Sequence, residues 1–176
     1  MIYRERDEEK RRKFQHRIKR ISPKNLIYLD ETGIDEFLYR EYGYAVRGEK
    51  VVGKISGKKF NRTNIVAGIC QGKWIAPLQY DGSMDSRLFE YWFKNCLLKE
   101  AKRGSFIVMD NARFHRKEHL EKLAKSKICK LIFLPPYSPD LNPIEHKWHW
   151  LKQHLRKILE NFSSLSDAVL DTFKVI

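Results

Sequence analysis

Three acidic residues stand at the ends of predicted secondary-structure elements. Asp30 follows the apolar run 26–29, Asp110 follows the apolar run 105–109, and Glu145 opens a long helical pattern. If the two runs are neighbouring strands, both aspartates emerge at one edge of the sheet, and the first helical turn can bring Glu145 beside them. Mg²⁺ prefers oxygen ligands. Three convergent carboxylates therefore predict a site for two divalent cations about 3.5–4 Å apart, which would activate a water or a sugar hydroxyl against a phosphodiester.

Ordinary structural roles are the alternative for all three acids. Asp30 and Asp110 can cap a turn or a helix. Asn142 is a good N-cap and Pro143 suits the first helical position, so Glu145 has the spacing of a capping box. Both strands, however, are apolar up to their aspartate. This pattern places each carboxylate on a rigid support, as a functional site requires.

A cationic stripe continues from Glu145 along the predicted last helix. Its members are four, three and four residues apart and share one helical face: Glu145, His149, Lys152 and Arg156. A carboxylate that leads a cationic track suits a site for a phosphate backbone better than it suits a helix cap. His149, Lys152 and Arg156 are therefore predicted to bind DNA.

The composition favours a polyanionic partner. The 176 residues carry 35 Lys and Arg against 22 Asp and Glu, a formal charge of +13, which points to nucleic acid or an anionic membrane surface. No apolar run approaches the ~20 residues that cross a bilayer, and the N-terminus lacks the apolar centre of a signal peptide. We therefore expect a cytoplasmic protein. The three cysteines form no CxxC pair and are expected to be reduced thiols.

The order of the predicted elements indicates the fold class. Strands are predicted over 26–29, 44–55, 63–80 (an antiparallel pair), 105–109 and 131–134. Helices are predicted over 4–20, 85–102 and 116–126, and from about Pro143 onwards. This order predicts an α/β domain over 25–176, with a mixed sheet of about five strands flanked by helices. Residues 1–24 are predicted to form a basic N-terminal helix or arm.

Three motifs give the chain a family resemblance. They are YLDETGI (28–34), FIVMDNARFH (106–115) and LPPYSPDLNPIEHKWHWLK (134–152). They resemble the three catalytic blocks of the DDE transposases of the Tc/mariner superfamily, and among these the bacterial insertion-sequence branch. Thirty-four residues separate Asp110 from Glu145, a spacing typical of that superfamily.

The resemblance carries expectations about fold, site and chemistry. It implies a ribonuclease-H-like fold and a metal-binding catalytic triad of Asp30, Asp110 and Glu145 that holds Mg²⁺ or Mn²⁺, with two ions expected. Asn111 and His115, within the second motif, are assigned to DNA binding. The implied reaction is metal-dependent phosphodiester hydrolysis at transposon ends, followed by strand transfer into target DNA. The implied assembly is a homodimer on DNA, in a bacterial cytoplasm and associated with the nucleoid.

One departure from the family pattern keeps two other functions open. Such transposases usually carry N-terminal helix-turn-helix domains, and the stretch before Asn25 is too short for them. A split reading frame, an excised catalytic domain or a degraded remnant would each explain this. A structure-selective nuclease of the same fold would cleave DNA without joining ends. A noncatalytic DNA-binding remnant would bind DNA without turnover.

Several other residues rank below the triad. His115 with His119, or His146 with His149, has the spacing of a zinc pair but lacks a third matching ligand. Glu31 ranks below Asp30 because a strand that continues through it turns it to the other face. In the third motif, Asp140 is expected to be a turn residue and Trp148 to be buried. The sequence does not predict whether Trp150 is buried or exposed.

Overall fold

The computed structural model describes residues 6–36, 44–50, 52 and 62–175. Its strands are β1 (Leu26–Asp35), β2 (Arg62–Cys70), β3 (Lys73–Tyr80), β4 (Phe106–Met109) and β5 (Lys130–Phe133). They form one five-stranded sheet in the order β3-β2-β1-β4-β5. β1 pairs antiparallel with β2, and β2 with β3, whereas β1 with β4 and β4 with β5 are parallel. The predicted mixed sheet of about five strands is confirmed.

Helices cover both faces of this sheet. They are α1 (Glu8–Lys19), α2 (Ser86–Trp92), α3 (Leu98–Glu100), α4 (Lys117–Ser126), α5 (Ile144–Ile158) and α6 (Leu165–Val175). A π-helical turn, Phe93–Leu97, joins α2 to α3, and short 3₁₀ turns occupy Pro23–Asn25, Pro139–Leu141 and Leu159–Asn161. None of the helices within the described ranges is long and apolar enough to cross a membrane.

Two apolar cores sandwich the sheet. On one face, Ile27 and Leu29 of β1 pack with the α2 residues Phe89 and Trp92. On the other face, Ile34 of β1 packs with residues of α5 and α6. Successive strand residues face opposite sides, so the central strand β1 contributes to both cores. The arrangement is the predicted α/β sandwich.

The first strand is longer than its apolar run predicts. β1 continues to Asp35 because its antiparallel pairing with β2 extends from Tyr28 to Asp35. The alternation of a strand then turns Asp30 and Glu31 to opposite faces of the sheet.

The second predicted strand, over 44–55, is wrong for residues 44–50 and 52, which are not in a strand. Its remaining positions lie outside the described residues. The antiparallel strands predicted over 63–80 are present as the β2–β3 hairpin. Its turn, Gln71-Gly72, has positive φ at both residues.

Helix α1 is docked on the rest of the chain by a buried arginine. Phe14 packs into a cluster with Leu26, Val108, Ile132 and Leu134. Arg11, only 4% exposed, donates from Nη1 to Asp140 Oδ1 at 2.9 Å and from Nη2 to Asp140 Oδ2 at 2.6 Å. Asp140 is thus more than the turn residue predicted for Ser-Pro-Asp, because it ties the 3₁₀ turn Pro139–Leu141 to α1. The division at residue 24 stays a prediction.

We predict that Asp140→Asn destabilises the fold by about 1–2 kcal/mol near pH 7, because a buried guanidinium loses its charged acceptor. Urea unfolding measures the change. The control Glu9→Gln breaks an exposed ion pair with Lys13 (2.6 Å) and should cost less than about 0.5 kcal/mol. Equal losses in the two variants would contradict a special role for the buried pair.

The same pair should depend on pH. The Arg11 guanidinium holds the pKa of Asp140 below its ordinary value of 3.8. The contribution of this pair is therefore present above about pH 4 and is lost as pH falls through the lowered pKa. The stability difference between the wild type and Asp140→Asn should shrink over that range.

Candidate active site

The parallel pairing of β1 with β4 sets Asp30 beside Asp110. Tyr28 is in register with Val108, so the residues two positions further on, Asp30 and Asp110, follow the same alignment. β4 ends at Met109, and the chain turns away at Asp110. Glu145 arrives from the first turn of α5. All three acids line one cavity of about 380 Å³.

The third motif forms the opposite wall of this cavity. The wall residues run from the end of β5 to the start of α5: Leu134, Pro135, Pro136, Tyr137, Ser138, Pro139 and Asn142. The buried hydroxyl of Ser138 donates to the Pro136 carbonyl at 3.0 Å, which closes the turn. The prolines and this turn hold the wall in a fixed position relative to the aspartates.

Asp30 is the least exposed of the three acids. Burial raises the pKa of Asp30 to about 7, and the negative charges of Glu145 and Asp110 raise it as well. Trp148 opposes this effect, because its Nε1–H donates to Asp30 Oδ2 at 3.2 Å and stabilises the charged carboxylate. Trp148 is itself 2% exposed, which confirms the prediction that it is buried.

Asp110 and Glu145 are more exposed than Asp30. Asp110 Oδ1 accepts the backbone N–H of Ala112 at 3.2 Å, the local turn bond that the structural alternative predicts. The side chain of Asp110 is still 54% exposed and lines the cavity. Glu145 is exposed and also lines the cavity. Both carboxylates are therefore accessible to an incoming cation.

The predicted side-chain N-cap at Asn142 is wrong. Pro143 occupies the N-cap position of α5, and the helix start has no side-chain cap bond. Asn142 is instead 3% exposed, and its Nδ2 donates to the Leu29 carbonyl of β1 at 3.3 Å. Asn142 thus links the α5 entry to the strand that carries Asp30. The capping-box alternative for Glu145 loses its Asn142 partner.

The donor set at this cavity fits a hard divalent cation. It offers carboxylate oxygens from three residues, and Asn142 Oδ1 is buried with no hydrogen-bond partner among the described residues. In the described ranges, however, no three His, Cys, Asp or Glu side chains are close enough to hold one ion between them as placed. The acids share a cavity without forming a closed ligand cluster. Holding an ion requires the exposed side chains of Asp110 and Glu145 to turn towards Asp30.

The predicted DNA-binding stripe lies along α5 beside its buried face. His149 and Arg156 are exposed, and His149 Nε2 lies 2.7 Å from Gln153 Nε2. Lys152 is half-buried. Burial lowers its pKa, while the negative charge of Glu145 raises it. The structure therefore places the stripe on the surface that leads away from Glu145.

The two predicted DNA-binding residues of the second motif differ in exposure. Asn111 is exposed and lines the cavity. His115 is 7% exposed and packs its ring on Phe89 with centroids 4.3 Å apart. Its Nδ1 lies 3.4 Å from Asp110 Oδ1 without hydrogen-bond geometry, and both ring nitrogens lack a hydrogen-bond partner within the described residues. Burial lowers the pKa of His115. His115 is thus mostly buried next to Asp110 and lines a small cavity there, and its role in DNA binding stays a prediction.

Glu31 lies with Asp30 and Asp110 in a small cavity, although the sequence pattern ranks it below Asp30. Tyr80 donates its hydroxyl to Glu31 Oε2 at 3.3 Å. Burial raises the pKa of Glu31 to about 7; the Tyr80 bond lowers it, and the charge of Asp110 raises it. The sequence sign of this placement is the pair Asp30-Glu31, because a strand that continues through both residues turns one carboxylate to each face.

A model of the DDE superfamily endonuclease domain matches residues 25–167. The chain belongs to this family. The match contains all three sequence motifs and excludes α1. The roles of Asp30, Asp110 and Glu145 stay predictions.

The relatives are transposases from nematodes. The Tcb2 transposase of Caenorhabditis briggsae is 29% identical over 118 residues, which are 64% of this chain and 43% of that protein. The Tc1 transposase of Caenorhabditis elegans is 34% identical over 68 residues, 39% of this chain and 25% of that protein. The chain thus spans less than half the length of these relatives. They support the Tc1/mariner type and give no support to the bacterial insertion-sequence branch.

Solved structures share the fold. The Mos1 strand transfer complex has a TM-score of 0.65 and 18% identity, over 83% of this chain and 46% of that chain. The Mos1 transposase catalytic domain with raltegravir and Mg has a TM-score of 0.62 and 15% identity, over 100% of this chain and 86% of that chain. These likenesses confirm the predicted ribonuclease-H-like fold.

We predict that Asp30 in the metal-free protein titrates near pH 7. Carbon-13 NMR of the aspartate carboxyl groups measures this pKa. Glu145→Gln should lower the pKa, because it removes a repelling charge. Trp148→Phe should raise it, because it removes a donor to the carboxylate. A wild-type pKa below 5 would contradict the described burial of Asp30.

The same titration should affect the stability of the metal-free fold. Between about pH 4 and pH 7 the folded chain keeps a proton on Asp30 that the unfolded chain has released. Stability should therefore fall as pH rises through this window. Asp30→Asn should flatten the decline in thermal unfolding measured across the same pH values.

Proposed function

We propose that this chain is the catalytic part of a DDE transposase. In this role it hydrolyses a phosphodiester at a transposon end and then joins the freed 3′-hydroxyl to target DNA. The observation that carries the proposal is the single cavity lined by Asp30, Asp110 and Glu145 in a chain of this family. Both steps are in-line displacements at phosphorus, so one site can perform them in turn.

Asp30, Asp110 and Glu145 would hold the divalent ions, Mg²⁺ or Mn²⁺, with two ions proposed. When bound, such ions activate the attacking oxygen and stabilise the charge on the leaving oxygen. The chain supplies the placement of the ligands: Trp148 fixes Asp30, and Asn142 ties the start of α5 to β1. The presence of Mg in a solved Mos1 catalytic domain supports this proposal.

DNA is the proposed partner, as transposon ends and as target. The charge of +13 and the residues His149, Lys152 and Arg156, which follow Glu145 along α5, support this choice. The predicted contact of His115 with DNA would require its mostly buried ring to become accessible. A homodimer on paired ends is the proposed assembly, and the solved paired-end complex of Mos1 transposase with a left transposon end supports the pairing of ends.

We also propose that the chain belongs to the bacterial insertion-sequence branch and is associated with the nucleoid, because the residues of the three motifs resemble that branch. The flanking genomic sequence tests this placement. An upstream helix-turn-helix reading frame between inverted repeats in a bacterial genome would support it. Nematode flanking genes would overturn it.

We predict that Asp110→Asn abolishes metal-dependent cleavage of DNA while it preserves the fold and DNA binding. Asparagine keeps the shape of the side chain and removes the charge that a cation needs. Cleavage is measured on labelled duplex DNA with Mg²⁺, Mn²⁺ or EDTA. Glu121→Gln, an exposed acid on α4, is the matched control and should cleave like the wild type. Cleavage by Asp110→Asn at the wild-type rate would overturn the proposal.

Strand transfer separates the transposase from a structure-selective nuclease of the same fold. Pre-cut ends with a free 3′-hydroxyl are incubated with supercoiled target DNA, and joined products are counted. A transposase joins them in an Asp110-dependent reaction. A nuclease leaves them unjoined although it cuts intact substrates, and a noncatalytic remnant binds DNA equally with or without Mg²⁺ and shows no turnover.

We predict that Arg156→Gln lowers the slope of log Kd against log salt by about 1, because one phosphate contact is lost. Fluorescence anisotropy of labelled DNA at several salt concentrations measures this slope. Lys99→Gln, an exposed cation on α3, removes the same charge elsewhere on the surface. The same change in both variants would show that net charge alone, and no track along α5, governs binding.

A further inference from the structure

The candidate active site continues past Asp110 into a second polar cavity. The cavity with the three acids shares Asp30, Asp110 and Ala112 with a smaller cavity of about 170 Å³. That small connecting cavity in turn shares Glu31 and Phe114 with the second polar cavity, of about 560 Å³. Each cavity shares lining residues with the next, so the second cavity lies close to the candidate active site, beyond Asp110.

The second cavity has fixed walls. Asn64 on β2 donates from Nδ2 to the Gly82 carbonyl at 2.7 Å, which ties β2 to the turn after β3. Tyr80 on β3 donates to Glu31 on β1 at 3.3 Å. These bonds connect the three strands that form the floor. Half-buried Met84 and Phe114 add apolar surface.

Arg62 lies across β1 at the rim of this cavity, and Gly33 makes room for it. A Cβ built on Gly33 would lie 2.1 Å from Arg62 Nη2 and 2.6 Å from its Cζ. The guanidinium therefore rests on the bare backbone of the first motif. This contact gives the glycine of YLDETGI a physical reason, since any side chain there displaces Arg62.

The contacts of Arg62 are weak for a guanidinium. Its Nε donates to Asn64 Oδ1 at 3.4 Å, and its Nη1 lies 3.9 Å from Asp35 Oδ1. Its side chain is 59% exposed. Guanidinium groups carry five donors in a planar fork that matches a phosphate. An anion of that shape can therefore gain short hydrogen bonds here at the expense of two long contacts.

We infer that Arg62, seated on Gly33, binds a backbone phosphate of the DNA strand at a nucleotide that flanks the scissile bond. Met84 and Phe114 then contact the sugar or base of the same nucleotide. The inference rests on the proposed function, because this cavity adjoins the candidate active site and can take the neighbouring part of the same strand. A polymer rather than a free nucleotide fits, because the adjoining cavities extend beyond the three acids.

The first test is cleavage under single-turnover conditions at increasing enzyme concentration. Arg62→Gln should raise the enzyme concentration for half-maximal rate about tenfold, as expected for the loss of a charge-assisted hydrogen bond, and change the maximal rate less than about twofold. Arg62→Lys should recover part of the loss. The control Arg103→Gln removes the same charge from an exposed position just before β4 and should change little. Equal effects of Arg62→Gln and Arg103→Gln would overturn the inference.

Methylphosphonate substitution locates the phosphate. When the phosphates around the cut bond are neutralised one at a time, the affinity of the wild type for DNA should fall at several positions. At one flanking position, the neutral phosphate should cause no further loss of affinity in Arg62→Gln. Full additivity at every flanking position would overturn the inference.

Gly33→Ala is a second variant that leaves Arg62 in place. The clash falls on the end of a flexible side chain, so the chain should fold and the guanidinium should move. Its loss of affinity should resemble that of Arg62→Gln, and the double variant should be no worse than either single variant. Wild-type affinity in a folded Gly33→Ala would overturn the proposed seat.

A binding measurement separates this inference from the proposed function. Nitrogen-15 NMR of the arginine Nε–H groups is recorded while a six-nucleotide oligothymidylate is added in Ca²⁺, without any need for cleavage. A shift of the Arg62 signal larger than that of Arg103 supports the subsite even if the wild type fails to cleave DNA. Cleavage by the wild type with no such shift retains the transposase and removes the subsite.

Discussion

The parallel pairing of β1 with β4 is the constraint on which the site depends. Three paired positions, Leu26 with Phe106 through Tyr28 with Val108, fix the relative heights of the two strands. Because β4 then stops and β1 continues, Asp30 stays within the sheet while Asp110 stands at its edge. A one-residue slip would turn one of these carboxylates into the opposite core.

Burial of Asp30 is the main electrostatic cost of this arrangement. A buried carboxylate near two other acids holds its proton at a pH where an exposed one is charged. The structure opposes this with the Trp148 donor and with an opening where a cation would balance the charge. Asp110 and Glu145, being exposed, can move towards such a cation. In the metal-free site, Asp30 is therefore held in place, whereas the side chains of Asp110 and Glu145 can move.

The sequence predicted the parts of the fold that follow from local patterns. Apolar runs located β4, β5 and the start of β1, and helical spacing located α5. The continuation of β1 through polar residues depends on its pairing with β2, which no local pattern contains. Arg11 and Asp140 are 129 positions apart, so no local sequence pattern predicts their ion pair. Asn142 has the type and position of a helix cap, whereas long-range packing turns its side chain towards β1.

The central claim is that Asp30, Asp110 and Glu145 together bind divalent ions. A crystal of the protein soaked in Mn²⁺ and measured at the manganese absorption edge tests it most directly. The account predicts one or two anomalous peaks in the cavity between these carboxylates, each about 2.0–2.3 Å from oxygen ligands. An ordered site with no peak at millimolar Mn²⁺, or peaks bound by other residues alone, would contradict it.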